Sequence, residues 1–376
     1  MESMELFRKN LKSLIDFYKI SVEQLSHKIN VTDEQLSSWI EGTDNPTYNQ
    51  ILKIADCMKR PIICFFLENP PVQSFEIDFR KIERFDQVID KKRLAELVDS
   101  LVIYKASINE VFNDVSNECR LHKWISHYKD LDFNNYLRQE LDFSIETQCQ
   151  FKRATEVVEY LREQFYRCGI FIFKDSFRLE DVSGICAYDE TYPIILINNK
   201  VSFTRQLFTI FHELYHLLSR ASHIDFLSID ERDCDNFAGQ FLIPNSCLLR
   251  DIQKHLLQSG ANNCEDDEFI KDRADHYNVS RVAYLYQLLK RGEVSQEYFN
   301  SYEERNRQYL IRTRQDDIVG GNYYYTKMNY LGKSYLSDIV SGYFAGKISI
   351  HQVAQYTQMK ATSAKKMLTM MAGGRY

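Results

Sequence analysis

Three residues in the stretch F-T-I-F-H-E-L-Y-H-L-L-S, Phe208 to Ser219, have the types and spacing for metal chemistry: His212, Glu213 and His216. On a helix, residues four apart share a face, so the two imidazoles project side by side and can bind one metal ion. Glu213, next to the first histidine, can serve as general base toward a metal-bound water. Leu207, Phe211, Leu214 and Leu218 recur at helical spacing on another face and belong in a core. Polar groups are costly to bury without partners, and zinc would supply the partner that two histidines and a carboxylate on a buried helix require. The five-residue pattern alone also suits an ordinary amphipathic helix with half-exposed histidines, so its surroundings must decide.

A sheet precedes this helix in the sequence. G-I-F-I-F from Gly169 and G-I-C-A-Y-D-E-T-Y-P-I-I-L-I-N-N from Gly184 are rich in β-branched and aromatic residues, with a turn expected near Asp189 and Glu190. Catalytic zinc usually keeps three protein ligands and one position for water, so a third ligand is required. The next acidic cluster, S-I-D-E-R-D-C-D-N-F-A-G-Q-F-L-I-P, opens a second amphipathic helix that ends before Pro244. Asp230, Glu231, Asp233 and Asp235 all lie on or near its first turn, and spacing does not choose between them. They would also be favoured there simply by the positive end of the helix dipole.

Residues 169–245 resemble the ImmA/IrrE family of zinc metallopeptidases, through G-I-C-A-Y-D, Y-P-I-I-L-I-N, F-T-I-F-H-E-L-Y-H-L-L and D-C-D-N-F-A-G-Q-F-L-I-P. The resemblance implies one zinc ion on His212 and His216, Glu213 as the catalytic residue, and a third ligand at a position that Asp233 takes by register. Cys234 then takes the family's small position and Asp235 its Asn/Asp position. Aspartate departs from the family's glutamate and is one methylene shorter, which leaves Glu231 as the other carboxylate for the site. Tyr215 stands where the family usually has glycine. The resemblance further implies a protein substrate, typically a helix-turn-helix repressor or an antitoxin, whose cleavage lifts repression.

The N-terminal 67 residues read as short helices with tight turns. Ser21 and Thr32 are placed to cap the second and third helices, and Gly42 to end the third. The run resembles repressor-like helix-turn-helix domains at Leu25, Val31, Leu36, Trp39, Gly42, Pro46, Ile51, Ile54 and Ala55. In that family the third helix enters the major groove, which makes Thr32, Gln35, Ser37 and Ser38 the candidate DNA-reading residues. Asp33, Glu34 and Glu41 would repel phosphates, so contact with a protein, or dimerisation, is the competing use of this domain.

The net charge of −6 argues against non-specific coating of nucleic acid. The N-terminus lacks an apolar signal core, and no apolar run approaches membrane-spanning length, so we expect a cytoplasmic protein without membrane contact. Nine cysteines without C-x-x-C pairs read as free thiols of a reducing compartment. The expected fold class is α+β and mainly α-helical. It comprises a helix-turn-helix bundle over 1–67, a linker and helical connector over 68–165, a zincin-like metallopeptidase core with a small sheet over 166–300, and a helical C-terminal module over 301–376. A helix is expected from Ile145 to Cys168. His122 and His127 read as surface or structural histidines and His276 as a structural one, whereas His223 is near enough in sequence to face the cleft. Residues 302–315 are locally basic and could grip a partner or remain a solvated surface.

These readings lead to a zinc-dependent regulatory endopeptidase with a fused domain for DNA or partner recognition. The alternative is a DNA-binding regulator or antitoxin-like protein whose metal site is structural or vestigial. A third reading has a terminal module covering the cleft.

Overall fold

In the computed structural model, residues 2–18, 21–58, 65–66, 76–77, 88–112, 119–177, 182–221, 231–313 and 323–372 are described. The chain divides into two compact units, Met1–Glu110 and Val111–Tyr376. No described helix is long and apolar enough to cross a membrane.

The first unit contains α1 (Glu2–Tyr18), α2 (Val22–Ile29), α3 (Asp33–Glu41), α4 (Tyr48–Met58), a two-residue strand β1 (Glu76–Ile77) and α5 (Val88–Val111). Local chemistry sets the first boundaries. Ser21 and Gln24 form a capping box at the start of α2, and Asn30 ends it in the left-handed region. Thr32 caps α3, and Gly42, at φ 88°, ends it. A side chain at Gly42 would be strained by that φ and would meet the Arg8 guanidinium at 2.9 Å. Leu11, Leu25, Leu36, Trp39 and Ile54 form the centre of a core that the first four helices share.

The second unit is mainly helical around a small sheet. Helices α6 (Leu121–His127), α7 (Phe133–Glu140), α8 (Ile145–Gln150) and α9 (Ala154–Arg167) lead to β2 (Phe171–Asp175), β3 (Gly184–Tyr188) and β4 (Ile194–Asn198). Strand β4 pairs in parallel with β2, Phe171 opposite Ile194, and antiparallel with β3, Gly184 opposite Ile197. Asp189 holds the β3–β4 turn by accepting from the backbone N–H groups of Thr191 and Tyr192, both at 2.9 Å. Both faces of the sheet are covered, so β4 is buried along its whole length. Ile195 and Ile197 join the core below α10 (Phe203–Ala221), while Phe171 and Phe173 pack edge-on against Phe112 and Tyr335.

The single helix expected over Ile145 to Cys168 is two helices. The chain extends at Phe151, whose ring lies 5.4 Å from that of Tyr160. Asn278 donates to the carbonyls of Gln148 and Phe151, at 3.3 and 3.0 Å, so acceptors released at the break are satisfied from elsewhere in the fold. Sequence periodicity cannot register a partner more than a hundred residues away.

Helices α11 (Glu231–Leu242), α12 (Asn245–Ser259), α13 (Asp267–His276), α14 (Arg281–Lys290) and α15 (Gln296–Thr313) follow. The unit ends with α16 (Tyr323–Leu331), α17 (Lys333–Phe344), α18 (Ile350–Tyr356) and α19 (Ala361–Ala372). Arg162 on α9 donates to Ile172 in β2 and to Asn329 and Tyr330 in α16, which docks the C-terminal helices on the sheet. In the basic run, Arg305 meets Asp267 at 3.0 Å and Arg307 meets Glu304 at 2.9 Å, so these two charges already have carboxylate partners.

The C-terminal end of α11 is held by a buried cation. Arg138 donates to the carbonyl of Phe143 at 2.8 Å, to Gln148 Oε1 at 2.9 Å and to the carbonyl of Phe241, and its guanidinium lies 4.4 Å from the Phe241 ring centre. Burial pulls its pKa down to about 10, still well above neutrality. Gln148 donates to the carbonyls of Leu242 and Tyr277 at 3.0 and 2.8 Å. A positive charge at the negative end of a helix, bonded to its last carbonyls, is favourable twice over. Replacing Arg138 by Met strips these acceptors of their donor. It should lower stability by about 2–3 kcal/mol, read as a fall in the midpoint of thermal or urea unfolding. An unchanged midpoint would show that Arg138 does not anchor α11.

Candidate metal centre

Helix α10 forms where the sequence placed it. Ser202 starts it, accepting at Oγ from the Arg205 N–H and at its carbonyl from the Gln206 N–H. Just upstream, Asn198 at the end of β4 donates to Val182 and accepts from the Phe177 and Lys200 N–H groups, so the entry to α10 is fixed by one amide. Leu207, Phe211, Leu214 and Leu218 are fully buried, as their spacing predicts. Phe211 stacks on Phe241 of α11 with ring centres 4.0 Å apart. Tyr215, the residue in place of glycine, packs against Phe237 at 5.3 Å. Burial raises the pKa of its hydroxyl, and the negative charge of Asp233 adds to the effect.

Four side chains converge between α10 and α11: His212, His216, Glu231 and Cys234, each offering one ligand atom within 4.8 Å of the others. Glu231 Oε2 is 3.1 Å from His212 Nε2, Glu231 Oε1 is 3.7 Å from His216 Nε2, and Cys234 Sγ is 3.5 Å from His216 Nε2. Tetrahedral ligands around zinc, at their usual bond lengths, are about 3.3–3.8 Å from each other. Two of the three separations fall in that range and the third is slightly shorter, and the donor set of two imidazoles, a carboxylate and a thiol is one that zinc takes. The outer nitrogen of His212 is also provided for, since its Nδ1 lies 2.9 Å from Asp235 Oδ1. A carboxylate there fixes the ring and its tautomer with Nε2 turned to the group, an arrangement that metal-binding histidines commonly have. The His216 side chain is 3% exposed and that of Glu231 43%, so the group is sealed on one side and open to solvent on the other.

Helix geometry explains the choice of carboxylates. Residues 231, 234, 235 and 238 lie three, four and seven apart and share one face of α11, on which Cys234 and Ala238 are fully buried. Asp233 projects from a different part of the helix, is exposed and stands outside the group. In the sequence Cys234 reads only as a small position and Asp235 as one acid among four. Their i, i+3, i+4 spacing from Glu231 is the signal that puts both on its face. Asp230 and His223 lie outside the described residues.

Glu213 is 2% exposed and faces the sheet. The backbone of Gly184 in β3 lies directly against it: a Cβ on Gly184 would come within 2.4 Å of Thr209 Cγ2 and 3.1 Å of Glu213 Oε1. Glycine is required there by close approach, since its backbone has no unusual φ.

The other candidates are elsewhere. His122 is exposed beside the Glu190 carbonyl, His127 pairs with Asp130, and His276 is exposed with its ring against Tyr277. At the start of α3, Thr32 is exposed, with its hydroxyl engaged as the cap, and within the helix the half-buried Ser38 donates to the Gln35 carbonyl at 2.7 Å. Gln35 and Ser37 are half-buried.

Residues 166–289 match the family model described as the IrrE N-terminal-like domain, Peptidase_M78. The matched segment runs from the last turn of α9 into α14 and contains all four residues of the group. The segment is thus similar to a domain of a peptidase family whose members are metallopeptidases. No curated protein and no solved structure matches the chain.

The packing at Gly184 is directly testable. Gly184→Ala should cost about 1–3 kcal/mol through overpacking, read as a lower unfolding midpoint, and Gly184→Val should cost more. A Gly184→Ala protein as stable as the parent would mean that the strand is not tight against α10.

Proposed function

We propose that the protein is a zinc-dependent endopeptidase that cleaves another protein. The observation that carries this reading is the convergence of His212, His216 and Glu231 at ligand spacing, with Glu213 beside them on the same helix, inside a segment matching a peptidase family. His212 and His216 would hold the ion through their Nε2 atoms, with Asp235 orienting the first ring. Glu231 is the third ligand on this reading, in place of Asp233, which the family register favours.

A zinc ion so held would supply Lewis acidity, polarising a scissile carbonyl and making a water acidic. Glu213 takes the proton of the attacking water and passes it to the leaving amine, the double role of a general base that becomes a general acid. The open side at Glu231 is where a peptide would enter. By the resemblance stated above, the substrate class is a repressor or antitoxin protein, and the first unit is the recognition part, for DNA or for a partner.

One observation favours a second reading. Four protein ligands are what a structural zinc has, and Cys234 completes such a set. The protein would then be a regulator with a folded-in metal, and specific DNA binding that survives His212→Ala would support it.

Glu213→Gln separates the two. It should keep its metal and its fold yet lose cleavage of a candidate repressor by at least about 100-fold, measured by the appearance of fragments on a gel. Cleavage at the parental rate would remove the mechanism. For the third ligand, Glu231→Gln should lose metal on dialysis and Asp233→Asn should keep it; the reverse pattern would restore Asp233.

A further inference from the structure

We propose that Cys234 is a fourth, sulfur ligand that closes the metal centre, so that the folded protein is a latent peptidase. The proposal rests on the zinc reading above and specifies how that site is regulated. Three donors, His212, His216 and Glu231, leave one of four tetrahedral positions for the water that hydrolysis needs. Cys234 Sγ lies at ligand spacing from the same group, 3.5 Å from His216 Nε2. Its side chain is fully buried, as is Ala238 one turn further along the helix, so the sulfur is directed into the sealed side of the site. Thiolate is a strong zinc ligand, and the two imidazoles and one carboxylate beside it complete a set of the kind that structural sites use.

Binding would form a sulfur–metal bond and break the S–H bond, with the proton passing to solvent. Water and thiolate then compete for one position. The thiolate has the advantage because α11 holds it in place, whereas water must be recruited from solvent. Catalysis requires the sulfur to leave while Glu231 stays, through a turn of the Cys234 side chain away from the ion. Glu231, 43% exposed, keeps the opposite side of the group open to solvent. The far end of the same helix is fixed by Arg138 and Gln148. The helix is thus anchored at one end and carries the blocking ligand at the other.

X-ray absorption at the zinc edge tests the ligand on the purified full-length protein. The expected result is one sulfur at about 2.3 Å with nitrogen and oxygen neighbours, and nitrogen and oxygen alone in Cys234→Ala and Cys234→Ser. Cobalt substitution gives the same answer optically: a thiolate-to-cobalt charge-transfer band in the parent that both variants lack. Zinc should also dissociate at least about 10-fold more readily from the variants, the low end of what losing even an outer partner of a ligand costs. With zinc in excess, Cys234→Ala should cleave substrate faster than the parent.

Zinc bound in the parent through nitrogen and oxygen only, or a sulfur signal that persists in both variants, overturns the proposal while leaving the peptidase reading intact. A zinc-loaded Cys234→Ala protein that cleaves no faster overturns the latency. A parent protein that binds no zinc removes both.

Discussion

The contact on which the site depends is the packing of α10 against α11. The stacked rings of Phe211 and Phe241 and the tilted pair Tyr215 and Phe237 fix the separation and rotation of the two helices. Everything polar between them follows from that spacing. His212 and His216 come from one helix and Glu231, Cys234 and Asp235 from the other, so no short stretch of sequence contains the site. Aromatic stacking is suited to this because large, rigid surfaces define one arrangement more sharply than flexible aliphatic chains do.

The rest of the second unit keeps those two helices from sliding. The sheet supports α10 along the length of β3 and β4, and Gly184 permits the close approach of β3 to Thr209 and the buried Glu213. Arg138 and Gln148 meet the last carbonyls of α11, so its polar end is buried without loss. Asp235 reaches back to His212 from α11, tying the orientation of a ring on one helix to the position of the other. The polar contacts are therefore subordinate to apolar packing, which sets the distances at which they operate.

Much of this was legible in the sequence. The H-E-x-x-H helix, its buried face, the strands before it and the caps at Ser21, Thr32 and Gly42 all arise from local chemistry that a sequence states directly. The mainly helical α+β class follows from the same signals. The break between α8 and α9 was not legible, because the donor that tolerates it is Asn278, distant in sequence. The choice among four carboxylates was not legible from composition, and the family register pointed to Asp233. The three-dimensional face of α11 brings Glu231 to the two histidines and, with it, Cys234, which the sequence presents only as a small residue.

The most direct measurement of the central claim is zinc stoichiometry after dialysis, comparing the parent with the His212→Ala/His216→Ala double variant, both shown to be folded by circular dichroism. The account predicts one tightly held ion per chain in the parent and none in the variant. A parent that retains no zinc, or a double variant that retains as much as the parent, would contradict it.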